Sequence, residues 1–225
     1  ERDAVGNWSS SGSSTIVIDN TAPTVTLTDD HSDLRVKDAD NVVITATFNE
    51  SMTSAPTISI DVAVGTDADI SATAMSGSGT TWTYTFDVPS GHDGNATVTV
   101  AGTDVAGNAY AGSDTIVYII DNTAPNVTLT DDHSDLKVKD ADNVVITATF
   151  DESMTSAPTI SIDVAVGTDA DISATAMSGS GTTWTYTFDV PSGHDGNATV
   201  TVAGTDVAGN AYAGSDTIVY IIDNT

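Results

Sequence analysis

The sequence contains no cysteine, no glutamine, only five basic residues and no apolar run of 18 residues. Without cysteine there are no disulfides, thiolate metal centres or cysteine nucleophiles. Without glutamine, neither a thioester nor a Thr–Gln ester crosslink can form. No run is long and apolar enough for a membrane-crossing helix, and no signal-peptide pattern is present, so secretion is expected to be directed from elsewhere in a parent chain. The 5 basic residues face 32 acidic ones, a net charge of −27. Such a chain repels DNA, RNA and anionic lipid, which argues against nucleic-acid partners and against direct membrane contact. Helical periodicity is missing as well.

What the sequence does have is repetition. Residues 18–23 read IDNTAP, residues 120–125 read IDNTAP again, and the last residues are YIIDNT. The spacing is 102 residues, and across the two copies only Thr24/Asn126, Arg35/Lys137 and Asn49/Asp151 differ. A period near 100 residues is too long for a solenoid unit and matches an independent domain. Residues 3–21 align loosely with 104–123, one residue shorter. The expected organisation is therefore the final loop and strand of a preceding repeat at 1–18, one repeat at 19–120 and a second at 121–225, as a segment of a longer array.

Each repeat alternates apolar and polar residues at period two. In TWTYTFDV (81–88), Trp82, Tyr84, Phe86 and Val88 share a face opposite Thr81, Thr83, Thr85 and Asp87. VVITATF (42–48) and TISIDVAV (57–64) follow the same rule, the latter with Ile58, Ile60, Val62 and Val64. This is the signature of half-buried antiparallel strands. With TVTL (24–27), DISATAM (69–75), NATVTV (95–100) and DTIVYII (114–120), it predicts about seven antiparallel strands per repeat. The fold class is all-β, two tandem immunoglobulin-like sandwiches. A content of 39% apolar residues in this pattern argues against disorder despite the charge.

Successive connections then fall at opposite poles. The IDNTAP junction, the turn at Glu50 and the loop GTDVAGN (102–108) share the leading pole, where the chain enters. The loops 29–41, 65–69 and 89–95 share the trailing pole. Residues 21–122 hold 14 acidic residues against Arg35 and Lys37. Stacking the repeats end to end therefore gathers carboxylates in one gap. Ca2+, which takes six to eight oxygen ligands, would resolve that repulsion. Asp121 and Asn122, with Glu152, Asp206 and Asn210, form the candidate junction cluster; Asp19, Asn20, Glu50, Asp104 and Asn108 are its counterparts in the first repeat. Further candidate ligands are Asp29, Asp30, Asp38, Asp40, Asp67 and Asp69, the last two pairs at i, i+2 spacing that in extended chain aims both carboxylates to one side. Asp, Asn and Gly are also ordinary turn residues, and no stretch matches an EF-hand loop.

Catalytic patterns are lacking. His31, Ser32 and Asp33 are consecutive and cannot form a relay. His31 and His92 share a pole but offer too few ligands for zinc. GSGTT (77–81) lacks the lysine and helix of a phosphate loop and reads as a hairpin turn. Trp82 and Trp184 fall on the core face. No small-molecule substrate is expected, and the chain is not expected to be an enzyme.

IDNTAP followed by a TxTL strand, then FNESM (48–52), then TDVAGN (103–108), resembles the bacterial immunoglobulin-like repeats of giant surface adhesins of the repeats-in-toxin and biofilm-associated type. The resemblance implies an extracellular stalk at the bacterial cell surface, stiffened by Ca2+, whose partners are neighbouring repeats of the same chain and which projects a distal ligand-binding domain. It implies ligand roles for Glu50 and Glu152, Asp104 and Asp206, and Asp19 and Asp121. DNTAP is also similar to the cadherin linker, but the other acidic motifs of that family are missing. Two other readings share the sandwich: a glycan-binding module, for which Tyr110 and Tyr118 are the candidate aromatics, and a repetitive domain of an S-layer or secreted enzyme.

Overall fold

A computed structural model of the chain describes residues 1–225 other than Ser9, 64–66 and 166–169. Among the described residues there is no helix. The first repeat carries β1 (Val25–Asp29), β2 (Arg35–Val36), β3 (Asn41–Phe48), β4 (Thr57–Val62), β5 (Ile70–Ala74), β6 (Ser76–Ser78), β7 (Thr81–Asp87), β8 (Gly94–Ala101) and β9 (Ile116–Ile120). The second repeats this series, from β10 (Val127–Asp131) to β18 (Ile218–Ile222).

In each repeat the strands form two sheets, in the first ordered β1-β3-β7-β6 and β2-β9-β8-β4-β5. Their register follows from the alternation. Ala46 lies opposite Trp82 and Ile44 opposite Tyr84 between β3 and β7, while Ile60 lies opposite Val98 between β4 and β8. A one-residue slip would turn every one of these side chains to solvent. The inner faces meet in one apolar core per repeat, including Ile44, Ile58, Ile60, Phe86 and Tyr118 in the first. Trp82 is buried within it, as expected. Tyr118 is fully buried, and Tyr110 packs edge-on against Phe48 with ring centroids 6.1 Å apart, so neither is an open platform for a sugar.

All seven predicted strands are present, with two refinements. The predicted strand 69–75 divides. β5 pairs with β4, whereas β6 crosses to the other sheet and pairs with β7. The buried Met75 sits at the changeover, its N–H donating to Pro56 O at 2.9 Å. Gly77 makes the crossing possible: its φ is +150°, and a Cβ there would stand 2.3 Å from Thr81 O. Gly79 and Thr80 then form the expected hairpin turn. The second refinement is β2, within what the sequence suggests is a loop. It pairs in parallel with β9, Arg35 opposite Ile119, so one pairing departs from the all-antiparallel expectation. Val64 and the first part of loop 65–69 lie outside the described residues.

Two of the three differences between the repeats touch each other. In the first, Thr24 N donates to Asn49 Oδ1 at 2.7 Å. In the second, Asn126 donates through N and Nδ2 to the two carboxylate oxygens of Asp151, at 2.8 and 3.0 Å. Residues 3–7 (DAVGN) adopt the same loop as 104–108 (DVAGN), with Asn7 N on Asp3 Oδ1 and Asn108 N on Asp104 Oδ1, both 2.8 Å. Beyond it, Ile16, Val17 and Ile18 are exposed.

Candidate interdomain metal site

Two loops of the leading pole are stitched together by backbone contacts alone. Thr53 N donates to Thr103 O at 2.9 Å, and Met52 bridges Asp104. This places the Glu50 turn beside the TDVAGN loop. Within that loop Asp104 caps its own turn, accepting from Asn108 N and Asn108 Nδ2, both at 2.8 Å. Asn108 Nδ2 also donates to Asp19 O at 3.2 Å, which draws in the linker. In the second repeat Asn210 makes the same contacts, to Asp206 and to Asp121 O, the latter at 2.8 Å.

The result is two carboxylate clusters, Asp19–Glu50–Asp104 and Asp121–Glu152–Asp206, each with one oxygen per residue within 4.8 Å of the others. Asp104 and Asp206 are the buried charged residues of the chain's described part, at 1% and 0% exposure. Burial disfavours the Asp104 carboxylate, but the hydrogen bonds from Asn108 and the turn outweigh it and hold its pKa below the usual value. The glutamates respond the other way. Burial, then Asp19 and Asp104, push Glu50 up. Glu152 is pushed up to about 7 by burial, then by Asp121, Asp206, Asp151 and Asp93. The second cluster is thus the more strained. It feels Asp151, where the first repeat has asparagine, and Asp93 from the repeat before it.

Hard oxygen donors at this separation suit Ca2+: two ligands at about 2.4 Å from one ion lie up to about 5 Å apart. Among the described residues no lysine or arginine forms an ion pair with these carboxylates; the ion pairs found join histidines to other aspartates. The donor set therefore fits a divalent cation, with Asp121, Glu152 and Asp206 as the residues that would hold it.

Residues 80–225 match the family described as Bacterial Ig-like domain (group 3), and residues 19–119 match the one described as Bacterial Ig-like domain. The chain belongs to the bacterial Ig-like domains. No curated protein sequence matches it. Among solved structures it is similar to the tetra-tandem repeat in the extending region of a large adhesion protein, at 24% identity, with 92% of this chain and 50% of that chain covered and a TM-score of 0.41. The chain thus spans half the length of that structure. It is also similar to the full ectodomain of mouse nectin-like molecule 4, at 13% identity over 90% of this chain and 65% of that one, with a TM-score of 0.39.

The other candidate ligands of these Ig-like repeats are employed elsewhere. Asn122 faces the preceding repeat. Its Nδ2 donates to Pro89 O at 3.1 Å and His92 O at 2.6 Å, and its Oδ1 accepts from Asp38 N. It is a plug in the trailing pole, not part of the carboxylate cluster, because its amide is spent on backbone groups. Its counterpart Asn20 is exposed. Asp38 and Asp40 do not lie side by side, since Ala39 has φ of +77° and the chain turns tightly there. Asp40 Oδ2 accepts from Lys37 N at 2.9 Å instead. Asp29 accepts from His31 N, Asp30 from Val43 N and Asp69 from Val62 N, each closing its own loop. Asp67 is exposed, 3.4 Å from His92 Nε2. Asp93, read in the sequence only as part of a turn, holds the linker: it accepts from Asn122 N and from Thr123 Oγ1.

Proposed function

We propose that this chain is a non-catalytic extender segment of a large bacterial surface protein. Its Ig-like repeats stack end to end and are stiffened by Ca2+ at Asp121, Glu152 and Asp206, holding a distal ligand-binding domain away from the cell. One observation carries this reading. A linker residue and two loops of the following repeat converge three carboxylates, one of them wholly buried, with no basic side chain paired to them among the described residues. A buried charge is ordinarily paired or bound to metal. The near identity of the repeats supports the same view, since an array of copies gains length rather than a better site. When bound, the cation would neutralise the cluster and tie the linker to the second repeat.

Thermal unfolding in EDTA, in Ca2+ and in Mg2+ at matched ionic strength tests this. Binding to the folded state alone should add about 2.7 kcal/mol per site at one hundred times the dissociation constant. Mg2+, with its octahedral demand and reluctance to shed water, should add less. Superimposable curves in all three solutions would remove calcium from the account.

A further inference from the structure

The junction also carries a contact that needs no metal. Lys37, immediately after β2, reaches across to the second repeat and donates from Nζ to Gly209 O at 2.7 Å. Gly209 belongs to the TDVAGN loop, between the candidate ligand Asp206 and its capping partner Asn210. The chain contains its own control for this contact, because the same residues recur at its two outer faces. Lys37 is half-buried, whereas the equivalent Lys139 is exposed and borders an open crevice of about 620 Å3. Val105 is 71% exposed, whereas the equivalent Val207 is half-buried. A Cβ on Gly209 would meet Lys37 Cε at 3.4 Å, whereas one on Gly107 would meet nothing within 4 Å. The linker between the repeats is tied on both sides, by Asp93 and Asn122 to the first and through Asp121 O to Asn210 of the second.

We infer that Lys37 is a positioning residue for the stalk, a latch that sets the angle between adjacent repeats whether or not a cation is bound. The setting favours a lysine. A compact ammonium on a long, flexible stem is drawn by the surrounding carboxylates into the gap, where the backbone carbonyl of Gly209 accepts from it. The contact also restrains the loop that presents Asp206, so the cluster is held in shape before metal arrives. This inference does not depend on calcium binding.

The absence of cysteine allows a direct test. Exposed Ser78 and Ser180, on equivalent hairpins of the two repeats, are changed to cysteine and spin-labelled, and the distance between them is measured in EDTA. The parent should give one narrow distance. Lys37→Met should lose it for a broad distribution, while Lys139→Met, the same loss away from the junction, should leave it narrow. A broad distribution in the parent, or a narrow one in Lys37→Met, overturns the latch. Because every arm is metal-free, failure here is separate from failure of the calcium reading, which shows in the melting curves.

Discussion

Replacing Glu152 by glutamine should change stability in opposite directions with and without calcium. In the metal-free protein this carboxyl has a pKa near 7, against an ordinary 4.5. A folded-state value above the unfolded one contributes stability that is complete below about pH 4.5 and is lost as pH rises through about 7. At pH 8 the ionised side chain therefore opposes folding. Burial is the largest cause of that shift and the neighbouring aspartates follow; two unit charges about 5 Å apart would repel by about 3 kcal/mol at an effective dielectric of 20, an upper bound on the electrostatic share. The side chain is only half-buried. Solvent and salt reduce the figure to on the order of 1–2 kcal/mol. In EDTA at pH 8 the glutamine variant should melt higher than the parent, by on the order of 5–10 °C for a domain of this size. At pH 4, where the glutamate is protonated in the folded and the unfolded state alike, the two should nearly coincide. In saturating Ca2+ at pH 8 the order should reverse, because glutamine supplies a weaker ligand and the parent gains more. Calorimetry of both proteins under these three conditions is sufficient. A glutamine variant less stable than the parent in EDTA at pH 8, or one that gains as much as the parent from Ca2+, would refute the reasoning.

Two further outcomes follow from named contacts. Asn122→Ala removes two donated hydrogen bonds and the acceptor for Asp38 N, and should destabilise the first repeat by about 2 kcal/mol; Asn224→Ala, which removes the same set in the second repeat, should match it in denaturant titration. Gly77→Ala places a methyl against Thr81 O and should cost about 2–3 kcal/mol, whereas Gly79→Ala, with open space around it at φ of +64°, should cost only about 1 kcal/mol by the same assay.

The strands that the sequence revealed are those long enough to show a period. β3, β4, β7 and β8 alternate over six to eight residues, and their inward side chains are the buried ones. β2 has two residues, too few for any periodicity, and it exists because β9 offers it a free edge. The division of the strand around Met75 depends on backbone angles at Gly77 that composition does not reveal. For the site, Asp19, Glu50 and Asp104 could be brought together in advance because three turns at one pole must converge. Asn122 could not be placed. An amide beside an aspartate has the residue types of a ligand pair, and only the fold shows that Pro89 O and His92 O claim it. The i, i+2 spacing of Asp38 and Asp40 does not set their carboxylates side by side, for a local reason: the left-handed Ala39 bends the segment between them. In the sequence Lys37 is one of two basic residues among many acids, and nothing local to it shows that its side chain reaches Gly209 O, 172 residues further on.

The parallel pairing of β2 with β9 has a mechanical consequence. The chain enters a repeat at one pole, through β1 and β2, and leaves by β9 at the other. A pull on the ends of the array thus drags β2 and β9 in opposite directions along their length. The hydrogen bonds from Ile119 N to Leu34 O and from Asp121 N to Val36 O lie across that line of force. They are loaded in shear and must give way together, not in sequence as in a zipper. The second of these bonds sits on Asp121, the linker residue of the carboxylate cluster, so a cation that ties Asp121 to Glu152 and Asp206 would also tie down the end of the strand on which tension acts.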